Sequence, residues 1–315
     1  TVLNWGHSWV VLGIVLRFPF RPEHSFCLPI LFRLYRNKKT AAKDGGVYRS
    51  KPELLVELLR RLCQAHPQRH FHMTVDSSYS GKSVARHLPG NCDLTGRAHL
   101  DAQLFAPAPI RQAKGQGRPR KKGHRQASPR AMLQGKTQTL TLNLYGRRDT
   151  ARIATSQVLW YCVAGQRRLR VVAVQPVSSG RPVQAFYSTC ADDSAVDILT
   201  RYAQRWSIEV SFQDTKSHLG FEQPQGWSRR AVERTAPTGM LLHSLIVLWF
   251  AQEGHRHVHF PHRPWYRKKH QPCFIDMLRT LRRLTLNENF IHPPQNPAHV
   301  KKYLETLIHL AATAA

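Results

Sequence analysis

The chain has 315 residues, 47 of them Lys or Arg against 19 Asp or Glu, for a formal charge of +28. Its 42% hydrophobic content provides for a real core, in one large domain or one domain carrying an insertion. Such a cationic excess calls for a polyanionic partner, nucleic acid first and an anionic membrane second; no run of 18 uncharged apolar residues exists, so a spanning helix is excluded.

The N-terminal run "SWVVLGIVLRFPF" (8–20) is β-branched and apolar, and "FCLPILFRLYR" (26–36) follows a turn. Two strands of a hairpin are expected. Neither a basic leader nor a small-residue cleavage site precedes them, so this is not a signal peptide. Residues 37–49 are polar with a Gly pair and read as a loop. Ser50 then stands as an N-cap, with Pro52 and Glu53 in the first turn of a helix. That helix carries Leu54, Leu55, Leu58, Leu59 and Leu62 on one face and stops at Pro67. "HFHMTVD" (70–76) is a short strand ending at Asp76; "GKSVARHL" is a short helix; "CDLTGRA" begins another strand. Residues 1–95 therefore read β-β-α-β-α-β.

From Ala102 to Arg148 there is no acidic residue, and "RQAKGQGRPRKKGHRQASPR" (111–130) is Gly/Pro-rich and basic. It reads as a loop or flexible arm, with Arg118, Arg120, Lys121 and Lys122 as DNA-contact candidates. Four β-rich runs follow between 137 and 190 and predict a small antiparallel subdomain, its last run rejoining the main sheet. Ser194 caps a predicted helix over 195–218, and three more helices close the chain at 229–252, 273–284 and 297–312. Pro237 should kink the second of these or mark its start. The domain reading is 1–95, a first part of the core; 96–190, a β-rich insertion; 191–255, the second part; and 256–315, a basic linker and helical tail. Six cysteines lack CxxC or zinc spacing and read as scattered thiols of a reducing compartment. The His-rich stretch 253–270 has no metal-ligand spacing.

On the 195–218 helix, Tyr202, Arg205, Glu209, Phe212 and Lys216 recur at spacings of 3, 4, 3 and 4 and share a stripe. Leu199, Trp206 and Val210 lie beside it, which predicts partial burial. A carboxylate there needs a cation. An i,i+4 salt bridge between Arg205 and Glu209 supplies one, but does not account for Tyr202 and Lys216.

The run Tyr-x2-Arg-x3-Glu-x6-Lys, here Tyr202, Arg205, Glu209 and Lys216, resembles the YREK motif of bacterial insertion-sequence DDE transposases that carry a β-strand insertion. "VDSSYSG" (75–81) resembles that family's strand-end Asp followed by a Tyr, which puts a catalytic carboxylate at Asp76. The resemblance implies an α/β, RNase H-like mixed sheet flanked by helices, interrupted by a β-rich insertion between Asp76 and Glu209. It also implies DNA strand cleavage and transfer in transposition, with transposon ends and target DNA as partners and a homodimer in the DNA complex. Two Asp and one Glu would hold two Mg²⁺ ions roughly 4 Å apart, while the Tyr, Arg and Lys meet a terminal phosphate. A bacterial cytoplasmic, nucleoid-associated protein is expected.

Two features depart from the family pattern. Its first Asp should precede the segment that "GHSWVVLGIVLRFPF" resembles, but the chain begins directly before that segment. The expectation is an N-terminally truncated, catalytically impaired copy. Asp192 and Asp193, just before the helix of Glu209, are the substitutes within reach; Asp192 is kept as a candidate third ligand, against a reading of both as helix N-terminal charge. Asp76 likewise has the simpler reading of a turn cap. A non-catalytic basic DNA-binding protein is the alternative from another class.

Overall fold

The computed structural model describes residues 6–43, 45–109, 119–144, 147–177, 180–223, 228–260 and 269–291, with residues 300, 304 and 307. Arg118, the rest of the predicted helix 297–312 and three tryptophans (Trp5, Trp227, Trp265) lie outside them. The architecture is α/β. The chain divides into two compact units, one of residues 1–18 and 22–244, the other of 19–21 and 245–315.

In the first unit, strands β1 (Ser8–Phe18) and β2 (Arg21–Tyr35) form a two-stranded sheet. A short helix α1 (Lys38–Lys43) occupies part of the stretch read as loop. Helix α2 (Lys51–Ala65) starts as predicted: the Glu53 carboxylate accepts hydrogen bonds at 2.7 Å from both the N–H and the hydroxyl of Ser50. Its leucine face is buried, Leu58 and Leu59 at 1% exposure. β3 (Phe71–Thr74), a 3₁₀ turn (Ser77–Tyr79), α3 (Lys82–Ala85) and β4 (Cys92–Ala98) follow. Next come α4 (Pro129–Met132), β5 (Gln138–Leu144), β6 (Arg147–Leu159), α5 (Tyr161–Ala164), β7 (Arg168–Pro176) and β8 (Gln184–Ser188). The helices α6 (Ala195–Gln204), α7 (Ser207–His218) and α8 (Arg229–Gln252) complete the order up to the second unit.

The main sheet has six strands in the order β3-β4-β8-β7-β6-β5. Only β3 and β4 run parallel, Phe71 opposite Cys92 and Thr74 opposite Thr95; the other neighbours are antiparallel. The predicted insertion is thus no separate subdomain. Through β8 its strands continue the sheet that begins with β3 and β4. Apolar alternation announces strands but not which strands pair.

A second expectation also fails. The segments 8–17, 26–35 and 70–76 do not share a sheet, because β1 and β2 pair only with each other and β3 pairs only with β4. What joins them is side-chain burial. Val10 and Leu12 of β1, the leucines of α2, Met73, Val75 and Leu94 belong to one buried cluster. The hydrophobic effect has no direction and unites both sheets over α2 without a shared ladder.

The segment read as one helix over 195–218 is two. α6 ends at Gln204 and α7 starts at Ser207. Both joint residues stay in the right-handed helical region, but the bonding tightens: Trp206 N–H bonds Ala203 O, and Glu209 N–H bonds Trp206 O, three residues back. The Ser207 hydroxyl takes the Gln204 carbonyl at 2.7 Å, and a serine competing for a helix carbonyl in this way bends helices.

In the second unit Phe250 and Met277 are fully buried, and Phe20 packs edge-on against Phe250 at 5.1 Å between ring centroids. Helix α9 (Phe274–Ile291) begins at Cys273, whose N–H donates to Asp276. Pro237 lies inside α8 rather than at its start. All six cysteines are free, and among the described residues no helix is long and apolar enough to cross a membrane.

Candidate active site around Arg205

Asp76 follows β3 and caps the 3₁₀ turn. Its Oδ1 accepts from the Ser78 N–H at 2.9 Å, the simpler role anticipated for it. The Ser80 hydroxyl donates to the Asp76 carbonyl at 2.7 Å and accepts from the Arg97 N–H at 3.1 Å, while Tyr187 donates to the Ser80 carbonyl. The turn is therefore fixed to β4 and β8 by two hydrogen bonds. Gly96 makes this approach feasible, since a Cβ there would fall 2.6 Å from Ser80 Oγ.

Glu209 lies in the first turn of α7 and accepts from Arg205 Nη1 at 2.9 Å. Arg205 caps α6, and its guanidinium lies 5.5 Å from the centre of the Tyr202 ring. Tyr202 is 8% exposed and packs on Phe186 at 4.5 Å between centroids. Burial works against the charge on Arg205. The hydrogen bond to Glu209 and the fields of Tyr202, Glu209 and Asp76 outweigh it, and the pKa is raised above the usual arginine value. Among the described residues its buried Nε has no hydrogen-bond partner.

Not every residue of the predicted stripe joins this group. Lys216 makes its ion pair with Glu222 at 2.5 Å. Trp206, expected beside a buried face, is 52% exposed. The bend at 205–206 rotates α7, so the periodicity of one straight helix no longer applies. The buried face of α7 is instead Ser207, Ser211 and Thr215; the hydroxyls of Ser211 and Thr215 return to α7 carbonyls and that of Ser207 to Gln204 at the end of α6. These small groups let α8 come close: a Cβ on Gly239 would sit 3.5 Å from Thr215 Cγ2.

Of the two acids before α6, Asp192 is exposed. Asp193 is 9% exposed, accepts from Ser188 Oγ and Arg201 Nη1 at 2.6 Å each, and lies 3.8 Å from His72. It is an internal ion-pair partner. Among the described residues no group of three or more His, Cys, Asp or Glu converges to hold a metal. Among the described residues Asp76 Oδ2 and Glu209 Oε2 accept no hydrogen bond, and both are hard oxygen donors.

The basic loop is held down over its described part. Gly123 N–H donates to Ala106 O at 2.8 Å, Ala106 N–H to His124 O, and Gln126 N–H to Leu104 O. Lys122 Nζ lies 3.7 Å from the Phe105 ring centre and 5.6 Å from that of Tyr161. Arg120 and Lys121 are exposed beside it. From residue 119 onward the predicted arm is a docked loop.

Sequence reading missed a polar layer on β3 and β4. His70 bonds Asp93 at 2.8 Å, His72 bonds Thr95 at 2.7 Å, and Asp93 also accepts from Thr189 Oγ1 and Arg167 Nη2. The signal was present as alternation: His70 and His72, and Asp93 and Thr95, are each two apart and share a sheet face.

No protein-family model matches the chain, and no curated protein matches it.

Proposed function

We propose that this chain carries the catalytic-core framework of a DDE-type DNA transposase, with Asp76 and Glu209 as two of its acidic ligands and Arg205 as its phosphate-binding cation. The observation that carries this reading is the 2.9 Å pair of Arg205 with Glu209 on the later helix, together with Asp76 at the end of β3. An RNase H-like interpretation is supported by the element order: a hairpin, a helix packed beneath it, a parallel strand pair with an acid at the end of its first strand, and a later helix bearing a second acid.

Mg²⁺ is the cofactor this reading calls for, and it would supply Lewis-acid activation of phosphodiester chemistry. Only two ligands belong to the described residues, so no complete site is assigned to them and full activity requires a third carboxylate. This chain's own residues perform the rest. Arg205 pairs with Glu209 and offers the exposed part of its guanidinium to a phosphate oxygen in a charge-assisted bond. Tyr202 supports that guanidinium from below. Lys216 lies one α7 segment further along, where exchange of Glu222 for a phosphate would engage it. The net charge of +28 supplies non-specific attraction to DNA.

Incubation of the chain with supercoiled DNA, with and without Mg²⁺, tests the assignment. Metal-dependent nicking that disappears in Glu209→Gln supports the transposase reading. Salt-sensitive binding without nicking at any metal concentration supports the second reading, a non-catalytic DNA-binding protein, which rests on the charge alone.

A further inference from the structure

Cys273, at the start of α9, belongs to a side-chain cluster that the proposed function does not use. Lys269 Nζ donates to its Sγ at 3.2 Å, and the thiol donates to Asp276 Oδ2 at 2.9 Å. Lys269 Nζ also pairs with that carboxylate oxygen at 2.5 Å. Sulfur, amine and carboxylate therefore touch one another pairwise. The Asp276 side chain is 2% exposed, and its Oδ2 also accepts the Cys273 N–H at 2.9 Å, so the triangle is anchored from inside. Pro272 stiffens the backbone before the cysteine. Arg21 holds the same turn, donating to Gln271 Oε1 and Pro272 O at 3.1 Å each. Cys273 is half-buried, within reach of a small solute, whereas Cys27, Cys63 and Cys92 are buried. Among the described residues no other cysteine sulfur takes a hydrogen bond from a cation. All members of the cluster lie in the second unit.

Asp276 is placed to take the thiol proton, and Lys269 to face the negative sulfur that results. Burial opposes the charge on Lys269, but its bonds to Asp276 and Cys273 outweigh that and keep it an ammonium. A sulfur so placed attacks a peroxide. The S–O bond forms, the O–O bond breaks, and the departing hydroxide takes up the thiol proton and leaves as water. The cysteine is then a sulfenic acid, which condenses with a neighbouring nitrogen. The nitrogen in contact here is Lys269 Nζ. We propose that Cys273 and Lys269 form a reversible sulfenamide crosslink when the protein meets hydrogen peroxide. The ammonium passes one proton to Asp276 and on to solvent. Its freed electron pair attacks the sulfur; the S–N bond forms, the S–O bond breaks, and the hydroxyl leaves as water with a second nitrogen proton. The thiol, the ammonium and one peroxide thus give the crosslink, two waters and one proton. Sulfur loses two electrons and the peroxide gains them. The crosslink ties the segment ahead of α9 to its first turn, and it halts oxidation before the irreversible sulfinic stage.

Tryptic peptide mapping of the full chain after treatment with hydrogen peroxide tests this. Trypsin does not cut after a lysine whose nitrogen is bonded to sulfur. The expected product is a peptide 269–279, lighter than its thiol form by two hydrogen atoms. Dithiothreitol should restore the thiol form, and with it cleavage after Lys269. Lys269→Arg keeps the cation but has no amine to condense. It should lose the crosslink and raise dimedone labelling of Cys273, which reports the sulfenic acid, several-fold; circular dichroism confirms that the variant is folded. The wild-type chain treated in urea, where the contact is gone, should crosslink several-fold less. The proposal is overturned if Cys273 stays a thiol while other cysteines oxidise, or if it becomes sulfenic or sulfinic acid with Lys269 still cut. A peptide that gains an oxygen between the two side chains, or equal crosslinking in urea, overturns it as well. None of these readouts involves DNA, so their outcome is separate from that of the proposed function.

Discussion

Arg205 donates to Glu209 at 2.9 Å across one helical turn while its guanidinium also lies in the field of Asp76, an acid from the opposite end of a long β-rich interval. The Arg205–Glu209 pair is a salt bridge across one helical turn, and under the proposed function its cation is also the phosphate-binding group.

The two roles separate by energy. The Arg205 and Glu209 side chains are 20% and 39% exposed, so the pair is strongly screened. Glu209→Gln should cost less than about 1 kcal/mol of stability, measured as the urea midpoint. A large loss of metal-dependent nicking with an unchanged midpoint would separate chemistry from folding.

Asp93 should set the acid limit of the fold. Burial pushes its pKa up, but hydrogen bonds from Thr189 and His70 and the charge of Arg167 outweigh that and hold it below the usual aspartate range. A depressed folded pKa gives stability that is complete above the unfolded value of about 3.9 and is lost as pH falls through the lower folded one. Asp93→Asn should cost about 3 kcal/mol near neutrality, as breaking a buried pair does. Urea midpoints across a pH series should show the wild type falling toward the variant in acid.

His72 adds a second, milder dependence. Burial first, and the charge of Arg201 second, push its pKa below the ordinary histidine value. Its stabilisation is therefore complete above about pH 6.5 and declines as pH falls from there toward the lower folded value. His72→Gln should flatten the stability profile in that window, read from thermal midpoints.

The hydroxyl face of α7 should reject bulk. Ser211 is 2% exposed and Thr215 is fully buried. Ser211→Leu should destabilise by about 1–3 kcal/mol through overpacking. Gly239→Ala meets only ordinary contact at Thr215 and should be neutral or stabilising by up to about 1 kcal/mol, since alanine is the better helix former. Thermal melts of the two variants should move in different directions.

Phe105 should control access to the basic loop. Phe105→Leu keeps the backbone bridges to Arg125 and Leu159 but removes the ring under Lys122. A cation–π contact of this kind is worth about 0.5–2 kcal/mol. Limited trypsin digestion should cut after Lys121 and Lys122 several-fold faster in the variant, with the rest of the fold intact.

Most single elements were legible in the sequence. The Ser50–Glu53 start of α2, the Ser194 cap of α6 and the β-rich runs depend on local chemistry that a sequence displays directly. The Asp76 turn cap and the Arg205–Glu209 pair were legible because both follow from local spacing. The failures share a physical cause. The return of the last β-rich run to the main sheet was anticipated, whereas pairing of β1 and β2 apart from β3, and the joining of β5, β6 and β7 to that same sheet, depend on contacts between distant residues, which periodicity does not encode. The break at 205–206 arises from one serine hydroxyl capturing a carbonyl, a choice a heptad count cannot see.

The hairpin of β1 and β2 has a mechanical consequence. Its backbone ladder is closed upon itself, and apolar packing together with the Arg33–Glu57 ion pair at 2.9 Å fastens it to α2. Apolar adhesion and one ion pair tolerate small shifts that a ladder of directional bonds would forbid, so the hairpin can adjust against α2 while the six-stranded sheet remains whole.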